Sequence, residues 1–416
     1  MKRRITFLLA ICSFVFISHS FTQVRTGIDV LIETNFNGAK ALLEGKRIGL
    51  ITNPTGVSSS LESTIDIFAR AKNLTLVALF GPEHGVRGDV TAGGKVETYT
   101  DSATNLPVYS LYGKTRTPTS DMLKGIDVLV YDIQDIGARS YTFINTMALA
   151  MEAAAENNIE FIVLDRPNPL TGNTVEGNVL DEKFKSFVGQ YPIPYVYGMT
   201  CGELAKFLNE EGMLDGKKKC KLTVVTMRGW KRLMWWDETG LPWVPTSPHI
   251  PNAQTALYYS MTGILGELET VNIGVGYTMP FQLIGAQWIE SKKFADALNA
   301  KNILGLHFRP LTYKPYYGGQ KDTMLGGVQI YITDRNKVNL VNTQLSIIET
   351  LHELYPSKNV FALADSNRIA MFDKVMGTDM VRKKINEGIP VRSIIEEWES
   401  GIQQFLNARK KYLLYL

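Results

Sequence analysis

Short apolar segments alternate with helical patterns along the chain from Lys46 to about Gln254. The apolar segments are rich in β-branched residues, which is typical of parallel strands buried on both faces. Because right-handed crossovers join such strands, all of them should point the same way in one α/β sheet. We predict strands at 47–52, 74–80, 108–111, 127–131, 160–164 and 222–227, with helices at 63–72, 120–124, 143–157 and 200–212.

The pattern changes after Gln254, where Gly becomes frequent and the regular alternation ends. The later chain shows helical patterns at 291–299, 341–354 and 391–408 and a strand pattern at 327–332. A chain of 416 residues also exceeds what one hydrophobic core usually holds. We therefore predict a first domain over residues 25–254 and a smaller second domain over 255–416 that covers the crevice of the first.

Polar residues follow four predicted strands at the point where each strand ends. Glu83 and His84 stand in the sequence Gly-Pro-Glu-His-Gly after strand 74–80, and Glu83 is our first candidate for a catalytic group. The other strand ends carry Asn53, Asp132, Asp135, Arg139, Tyr141, Asp165, Arg166 and Asn168. The carboxyl ends of parallel strands share one edge, where ligands bind in open α/β folds. We therefore predict one functional site at this edge, rather than four independent solvated loops.

Motifs for nucleotide binding and for a nucleophilic serine are absent from the sequence. There is no G-x-G-x-x-G after the first strand, no G-x-x-x-x-G-K-[ST] and no G-x-S-x-G. The five His include no H-x-x-x-H pair, which argues against a dedicated zinc site. Carboxylate, Arg, Asn and aromatic residues are abundant instead, as in carbohydrate sites, where two acids cleave the glycosidic bond and rings stack on sugars. We predict no cofactor and no metal.

Four Trp lie in a short stretch that leads to a Pro-rich segment around His249. They are Trp230, Trp235, Trp236 and Trp243. Two interpretations stay open: the Trp side chains belong to the core, or the stretch overhangs the crevice and supplies a stacking surface. His249 and, further on, Glu267 join the candidates for substrate binding.

The strand-end motifs together resemble those of the bacterial exo-β-N-acetylmuramidase family, formerly a domain of unknown function. They are Asn53-Pro54-Thr55-Gly56, Gly81-Pro82-Glu83-His84-Gly85, Tyr131-Asp132-Ile133-Gln134-Asp135, Gly137-Ala138-Arg139-Ser140-Tyr141, and Asp165-Arg166-Pro167-Asn168-Pro169 with Glu176-Gly177. The resemblance implies an exported glycoside hydrolase that removes N-acetylmuramic acid from the non-reducing end of peptidoglycan fragments. It further implies a Rossmann-like domain, a smaller α+β auxiliary domain, an active cleft between them and a catalytic Glu83. Val275 stands where many members have Arg.

We interpret Glu83 as the general acid that protonates the leaving oxygen. A second acid, from Asp132, Asp135, Glu176 or Glu267, is expected to act as base, nucleophile or positioning group. One alternative is a periplasmic carbohydrate-binding protein without catalysis. Another is a metal-dependent hydrolase that uses His84 and Asp135.

The lactyl carboxylate distinguishes N-acetylmuramic acid from N-acetylglucosamine, and its recognition requires a local cation. Arg139 and Arg166 are the first candidates because each follows a strand end, and Arg87, in a long Gly-rich loop, is the third. Each Arg could instead pair with a neighbouring Asp and hold its loop in place.

Residues 1–20 are typical of a secretory signal peptide. Lys2, Arg3 and Arg4 precede an apolar segment at 5–17 and a small-x-small pattern at 18–20. A lipoprotein signal ending at Cys12 is the alternative, but Ile11 is bulky where a small residue is expected. Removing these residues brings the net charge from +3 to about zero, so we predict no attraction to nucleic acid.

We therefore expect an exported protein, in the periplasm or outside the cell, whose partners are peptidoglycan-derived sugar fragments. No later apolar run is long enough for a transmembrane segment. The two remaining thiols, Cys201 and Cys220, are predicted to be buried and free, with a disulfide as the alternative.

Overall fold

The computed structural model describes residues 23–34, 43–88 and 98–416. The proposed signal peptide, the alternative site at Cys12 and the middle of the Gly-rich loop lie outside these residues. The strands are β1 (Arg47–Thr52), β2 (Thr75–Gly81), β3 (Tyr99–Thr100), β4 (Pro107–Ser110), β5 (Val128–Asp132), β6 (Glu160–Leu164), β7 (Glu176–Val179), β8 (Pro194–Val196), β9 (Lys221–Val225), β10 (Leu283–Ala286), β11 (Leu306–Tyr313) and β12 (Leu325–Ile332).

The longer helices alternate with the strands in the first domain and dominate the second. They are α1 (Gly27–Glu33), α2 (Thr64–Arg70), α3 (Phe143–Glu156), α4 (Cys201–Glu210), α5 (Gln254–Gly266), α6 (Ser291–Ala300), α7 (Leu340–Leu354), α8 (Val360–Leu363), α9 (Ser366–Met376), α10 (Met380–Asn386), α11 (Val391–Glu396) and α12 (Glu399–Arg409). Among these described helices, none is long and apolar enough to span a membrane.

Seven strands form one sheet in the order β3-β4-β2-β1-β5-β6-β9, in which all neighbours except β3 and β4 are parallel. Numbered along the chain, the parallel strands have the spatial order 3-2-1-4-5-6 that characterises Rossmann-like folds. A smaller domain follows, with the antiparallel sheet β10-β12-β11 packed against helices. The predicted α/β fold class with a smaller α+β domain is confirmed.

Local signals in the sequence explain where several elements begin. Thr200 and Glu203 form a capping box at the start of α4, in which each side chain accepts a hydrogen bond from the other residue's backbone N–H. The strands β1 and β6 have the predicted bounds because each apolar run stops at a polar loop. Cys201 and Cys220 are buried free thiols, as predicted.

Two predicted helices are wrong in detail. Residues 120–124 form turns, since so short a segment gains little from helical hydrogen bonds alone. The single helix predicted at 391–408 is two helices, α11 and α12, separated at Trp398. Ile394 of α11 packs in the core of the second domain, whereas Phe405 of α12 packs against Phe207 of the first.

The last residues of the chain return to the first domain. Tyr415 packs edge-on against Trp230, with ring centroids 5.1 Å apart. Its hydroxyl donates a hydrogen bond to the fully buried Asp165 carboxylate (2.5 Å) and accepts one from the Met227 N–H (3.1 Å). The end of the chain therefore completes a polar network below the sheet edge.

We expect Tyr415→Phe to lower the free energy of unfolding by about 1–3 kcal/mol, because the buried Asp165 carboxylate loses one of its hydrogen-bond donors and the Met227 N–H loses the Tyr415 oxygen as acceptor. Tyr331→Phe is the matched control, since its hydroxyl donates to Gln329 from a side chain that is 40% exposed. Urea denaturation of both variants measures the difference. Equal stability of the two variants would contradict the role given to Tyr415.

Candidate active site

A cavity of about 440 Å³ lies at the carboxyl end of β2 and is lined by residues of both domains. This volume is within the range of small-molecule sites. Of the residues predicted from the sequence, five line it: Glu83, His84, Tyr141, His249 and Glu267. The other lining residues are Tyr112, Arg116, Ser140, Thr142, Phe143, Ser186, Phe187, Val188, Ser247, Ile250, Tyr259, Phe281, Met371 and Lys374.

Glu83 lies two residues beyond the end of β2 and is half-buried. The Thr142 hydroxyl, at the N-terminus of α3, donates a hydrogen bond to its Oε2 (2.9 Å), and the Tyr112 hydroxyl donates a second. Burial, followed by the charge of Glu83, raises the pKa of Tyr112 to about 12, so this phenol keeps its proton. Two hydroxyl donors from different elements therefore orient the Glu83 carboxyl group in the cavity.

Two bulky residues that line the cavity have backbone conformations that L-residues rarely adopt. His84 has φ 74° and Phe281 has φ 63°. Such conformations cost of order 1–3 kcal/mol each and persist only where surrounding contacts enforce them. For Phe281 these contacts are hydrogen bonds from its N–H to the Ile273 carbonyl and from the Thr262 hydroxyl to its own carbonyl.

Glu267 follows the end of α5 and brings a second carboxyl group to the same cavity from the other domain. Burial raises the pKa of Glu267 to about 7, and the positive charge of Arg368 opposes this shift only in part. A carboxyl group with this pKa retains its proton at mildly acidic pH and exchanges it near neutrality.

His249 lies on the cavity wall in the Pro-rich segment, which the Trp243 indole supports by donating to the Ile250 carbonyl (3.1 Å). Burial lowers the pKa of His249, and the nearby His84 lowers it further. The four Trp side chains do not line this cavity; Trp230, Trp235 and Trp236 are buried. The core interpretation of the Trp stretch is therefore correct for these three residues.

Among the residues that the structure describes, two further cations line the cavity, and the sequence did not single them out. The Arg116 guanidinium lies 4.2 Å from the centroid of the Phe187 ring, and Lys374 lies on α9. A Cβ atom at Gly189 would lie 3.5 Å from the Lys374 carbonyl oxygen, so the segment that contains Phe187 runs close to α9. Both cations line the cavity.

The predicted cations Arg166 and Arg139 do not reach the cavity wall, and their placement is corrected. Arg166 forms a bidentate ion pair with the fully buried Asp132, with N–O distances of 2.6 and 2.8 Å. Asp132 also accepts a hydrogen bond from Thr64. Arg139 is fully buried and donates to the carbonyl oxygens of Asn178, Ile193, Val375 and Met376.

The remaining predicted residues are also placed away from the cavity. Asp135 is buried and accepts from the Tyr197 hydroxyl (2.7 Å), Asp165 accepts from Thr200, Gly202 and Tyr415, and Glu176 accepts from the Val341 N–H at the start of α7. Asn53 and Asn168 accept from the backbone N–H groups of Thr55 and Leu170. Arg87 pairs with Asp101 at 3.1 Å. These side chains stabilise the strand-end loops because buried polar groups require such partners.

Some of the missed residues had no usable signal in the sequence. Tyr112 and Arg116 follow β4, a strand with only four residues, and Lys374 lies on a helix that the pattern did not predict. Thr142 could have been found, since it directly follows the Ser140-Tyr141 motif and precedes a strongly predicted helix.

Comparisons with known proteins agree with the fold and with the strand-end motifs. Models of the N-terminal and C-terminal domains of exo-β-N-acetylmuramidase NamZ match residues 48–254 and 257–415. Peptidoglycan β-N-acetylmuramidase NamZ from Bacillus subtilis (strain 168) is 49% identical over 393 residues, which are 94% of this chain and 92% of that protein.

Two solved structures from Bacteroides fragilis NCTC 9343, both described as DUF1343 family proteins, share the architecture. The first is 53% identical with a TM-score of 0.90, and the second is 29% identical with a TM-score of 0.73. In each case the similarity covers 95% of this chain and 99% of the other. The chain therefore belongs to the exo-β-N-acetylmuramidase family.

Proposed function

We propose that the protein is an exo-acting glycoside hydrolase that releases N-acetylmuramic acid from the non-reducing end of peptidoglycan fragments. The observation that carries this proposal is the presence of two carboxyl groups, Glu83 and Glu267, in one cavity between the two domains. Most glycoside hydrolases use such a pair on either side of the scissile bond. Family membership supports catalysis over binding alone.

The two carboxyl groups have different surroundings, which suits them to different roles. Glu267, with its pKa near 7, is suited to donate a proton to the leaving oxygen. Glu83, oriented by Thr142 and Tyr112, is suited to act as the carboxylate that activates water or attacks the sugar. This assignment revises the sequence-based interpretation, in which Glu83 is the proton donor, and it selects Glu267 among the four candidates for the second acid.

Arg116 and Lys374 replace Arg139, Arg166 and Arg87 as the proposed partners of the lactyl carboxylate. They are cations on the cavity wall, whereas the other three Arg side chains are engaged by Asp132, Asp101 or backbone carbonyls. The positive charge of Arg116 also opposes part of the rise in the Tyr112 pKa, so Arg116 lies close to Tyr112. A carboxylate bound there would lie near the catalytic carboxyl groups.

Export of the protein is part of the proposal. It is supported by the basic start and the apolar segment of residues 1–20. Peptidoglycan lies outside the cytoplasmic membrane, so an exported protein would meet its substrate there.

Replacing each carboxyl group separately distinguishes the two roles. We expect Glu83→Gln to lower kcat by about a hundredfold or more for every substrate, because it removes the reacting carboxylate. Glu267→Gln should lower kcat by a similar factor for a disaccharide but far less for 4-nitrophenyl β-N-acetylmuraminide, whose leaving group needs little protonation. A Glu83→Gln variant with normal activity would exclude Glu83 from the mechanism, and the reverse substrate pattern would return proton donation to it.

The pH dependence tests the same assignment in the unmodified protein. A proton donor must carry its proton, so kcat/KM for the disaccharide should fall as the pH rises through the Glu267 pKa of about 7. The decrease should be weak with the nitrophenyl glycoside. Constant kcat/KM for the disaccharide between about pH 6 and 9 would contradict proton donation by Glu267.

Charge removal at the cavity wall tests recognition of the lactyl group. We expect Arg116→Met and Lys374→Met each to reduce the preference for the muraminide over the glucosaminide by about three- to tenfold, which is the range for partly exposed charge-assisted contacts. Lys337→Met is the control, because Lys337 is exposed and pairs with Asp334. Unchanged ratios of kcat/KM in both cavity variants would show that these cations do not bind the carboxylate.

A further inference from the structure

Two exposed tyrosines stand beside the cavity on the second domain. Tyr316 and Tyr317 lie between β11 and β12 and are 59% and 49% exposed. The Tyr317 hydroxyl is 3.0 Å from Nε2 of His249, which lines the cavity, and the two rings are nearly parallel at 17°. Large aromatic side chains with this exposure offer ring faces that another molecule can cover.

The position of these tyrosines is fixed by close backbone packing. The Tyr316 N–H donates to the Gly276 carbonyl (2.7 Å). Gly276 has φ 93°, and a Cβ atom there would lie 2.4 Å from the Tyr317 carbonyl oxygen, so only Gly allows this approach. The Tyr277 ring lies 5.3 Å from the Tyr316 ring and supports it. The aromatic surface is therefore held in place by the protein itself, which lowers the entropy cost of binding.

This surface is near the bond that the enzyme would cleave. His249 contacts Tyr317 and lies near His84, which directly follows Glu83 in the chain. An exo-acting enzyme holds only the terminal sugar in its cavity, so the leaving sugar must extend beyond the residues that line the cavity. Tyr317 contacts the lining residue His249 and is exposed, so it is placed to meet that sugar.

The charges in the cavity indicate which part of the substrate it holds. Arg116 and Lys374 line the cavity, whereas the exposed rings of Tyr316 and Tyr317 lie beside the lining residue His249. The released N-acetylmuramic acid carries a carboxylate, and the sugar to which it was linked is neutral. The cationic lining of the cavity matches the first, and exposed aromatic rings beside the cavity match the second.

We infer that Tyr316 and Tyr317 form a binding subsite for the leaving sugar, which stacks on their rings while N-acetylmuramic acid occupies the cavity. The inference rests on the proposed function. This subsite makes the protein selective for substrates in which a further sugar follows the scissile bond.

Two substrates that release the same sugar but differ in the leaving group test this subsite separately from the cavity. One is the disaccharide of N-acetylmuramic acid β-linked to N-acetylglucosamine, and the other is methyl β-N-acetylmuraminide, which has no sugar as leaving group. We expect the Tyr316→Ala, Tyr317→Ala double variant to lower kcat/KM for the disaccharide by about three- to tenfold and to leave the methyl glycoside unchanged. For both substrates, the released N-acetylmuramic acid is measured by chromatography.

Two further variants serve as controls. Tyr317→Phe keeps the ring and removes the hydroxyl that contacts His249, so it should retain the preference for the disaccharide. Tyr331→Ala removes an exposed tyrosine from β12 and should behave as the unmodified protein.

Each outcome has a distinct meaning. An unchanged ratio of kcat/KM for the two substrates in the double variant would overturn the subsite. An equal loss for both substrates would also overturn it, because the tyrosines would then act only through His249. If the unmodified protein released N-acetylmuramic acid from neither substrate, the proposed function itself would fail.

Discussion

The cavity depends on a buried guanidinium that connects the two domains. Arg139 lies in the loop that follows β5 in the first domain. It donates hydrogen bonds to the carbonyl oxygens of Asn178 and Ile193 in the same domain. It also donates to the carbonyl oxygens of Val375 and Met376 at the end of α9 in the second domain. Burial lowers the pKa of Arg139 to about 10, so it still carries its charge at neutral pH. Gly377 is required beside it, because a Cβ atom there would lie 2.5 Å from Nη2.

This contact determines what the cavity contains. Glu83 belongs to the first domain, whereas Glu267 and Lys374 belong to the second, so the distance between the two carboxyl groups depends on how the domains dock. A charged donor that is fully desolvated makes stronger hydrogen bonds than a neutral one and is costly to leave unpaired. Arg139 therefore positions the site without facing the cavity. The sequence shows only that Arg139 stands in a strand-end motif, and this pattern does not distinguish a positioning Arg from one that binds substrate.

The buried ion pair of Arg166 with Asp132 occupies the usual ligand position for this topology, so the cavity lies elsewhere. In Rossmann-like sheets the ligand crevice opens where the strand order reverses, which here is between β1 and β5. That position is filled by the ion pair of Arg166 with Asp132, and the space left beside Thr55, Gln134 and Trp236 is only about 20 Å³, enough for about one water molecule. The cavity lies one strand further, at the end of β2, where the loop after Gly81 and the second domain leave room.

The sequence predicted the architecture well because that information is local. Apolar runs, capping residues and strand–helix alternation each act over a few positions, and they located the core of the parallel sheet. The shared edge of the sheet also followed from the alternation, and Glu83 with His84 was found there. The sequence could not distinguish a strand-end side chain that faces the cavity from one that turns beneath it, as Asp132 and Asp135 do, because that depends on contacts between distant segments such as β5 with Arg166 and Tyr197. Arg116 and Lys374 were missed because Arg116 follows a strand of only four residues and Lys374 lies on a helix that the pattern did not predict.

The most direct test of this account is a crystal structure of the Glu83→Gln variant with the uncleaved disaccharide bound. The account predicts N-acetylmuramic acid in the cavity at the end of β2, its glycosidic oxygen within hydrogen-bonding distance of Glu267, and its lactyl carboxylate beside Arg116 or Lys374. A disaccharide bound elsewhere, for example in the crevice between β1 and β5, or one with its glycosidic bond remote from both carboxyl positions, would contradict it.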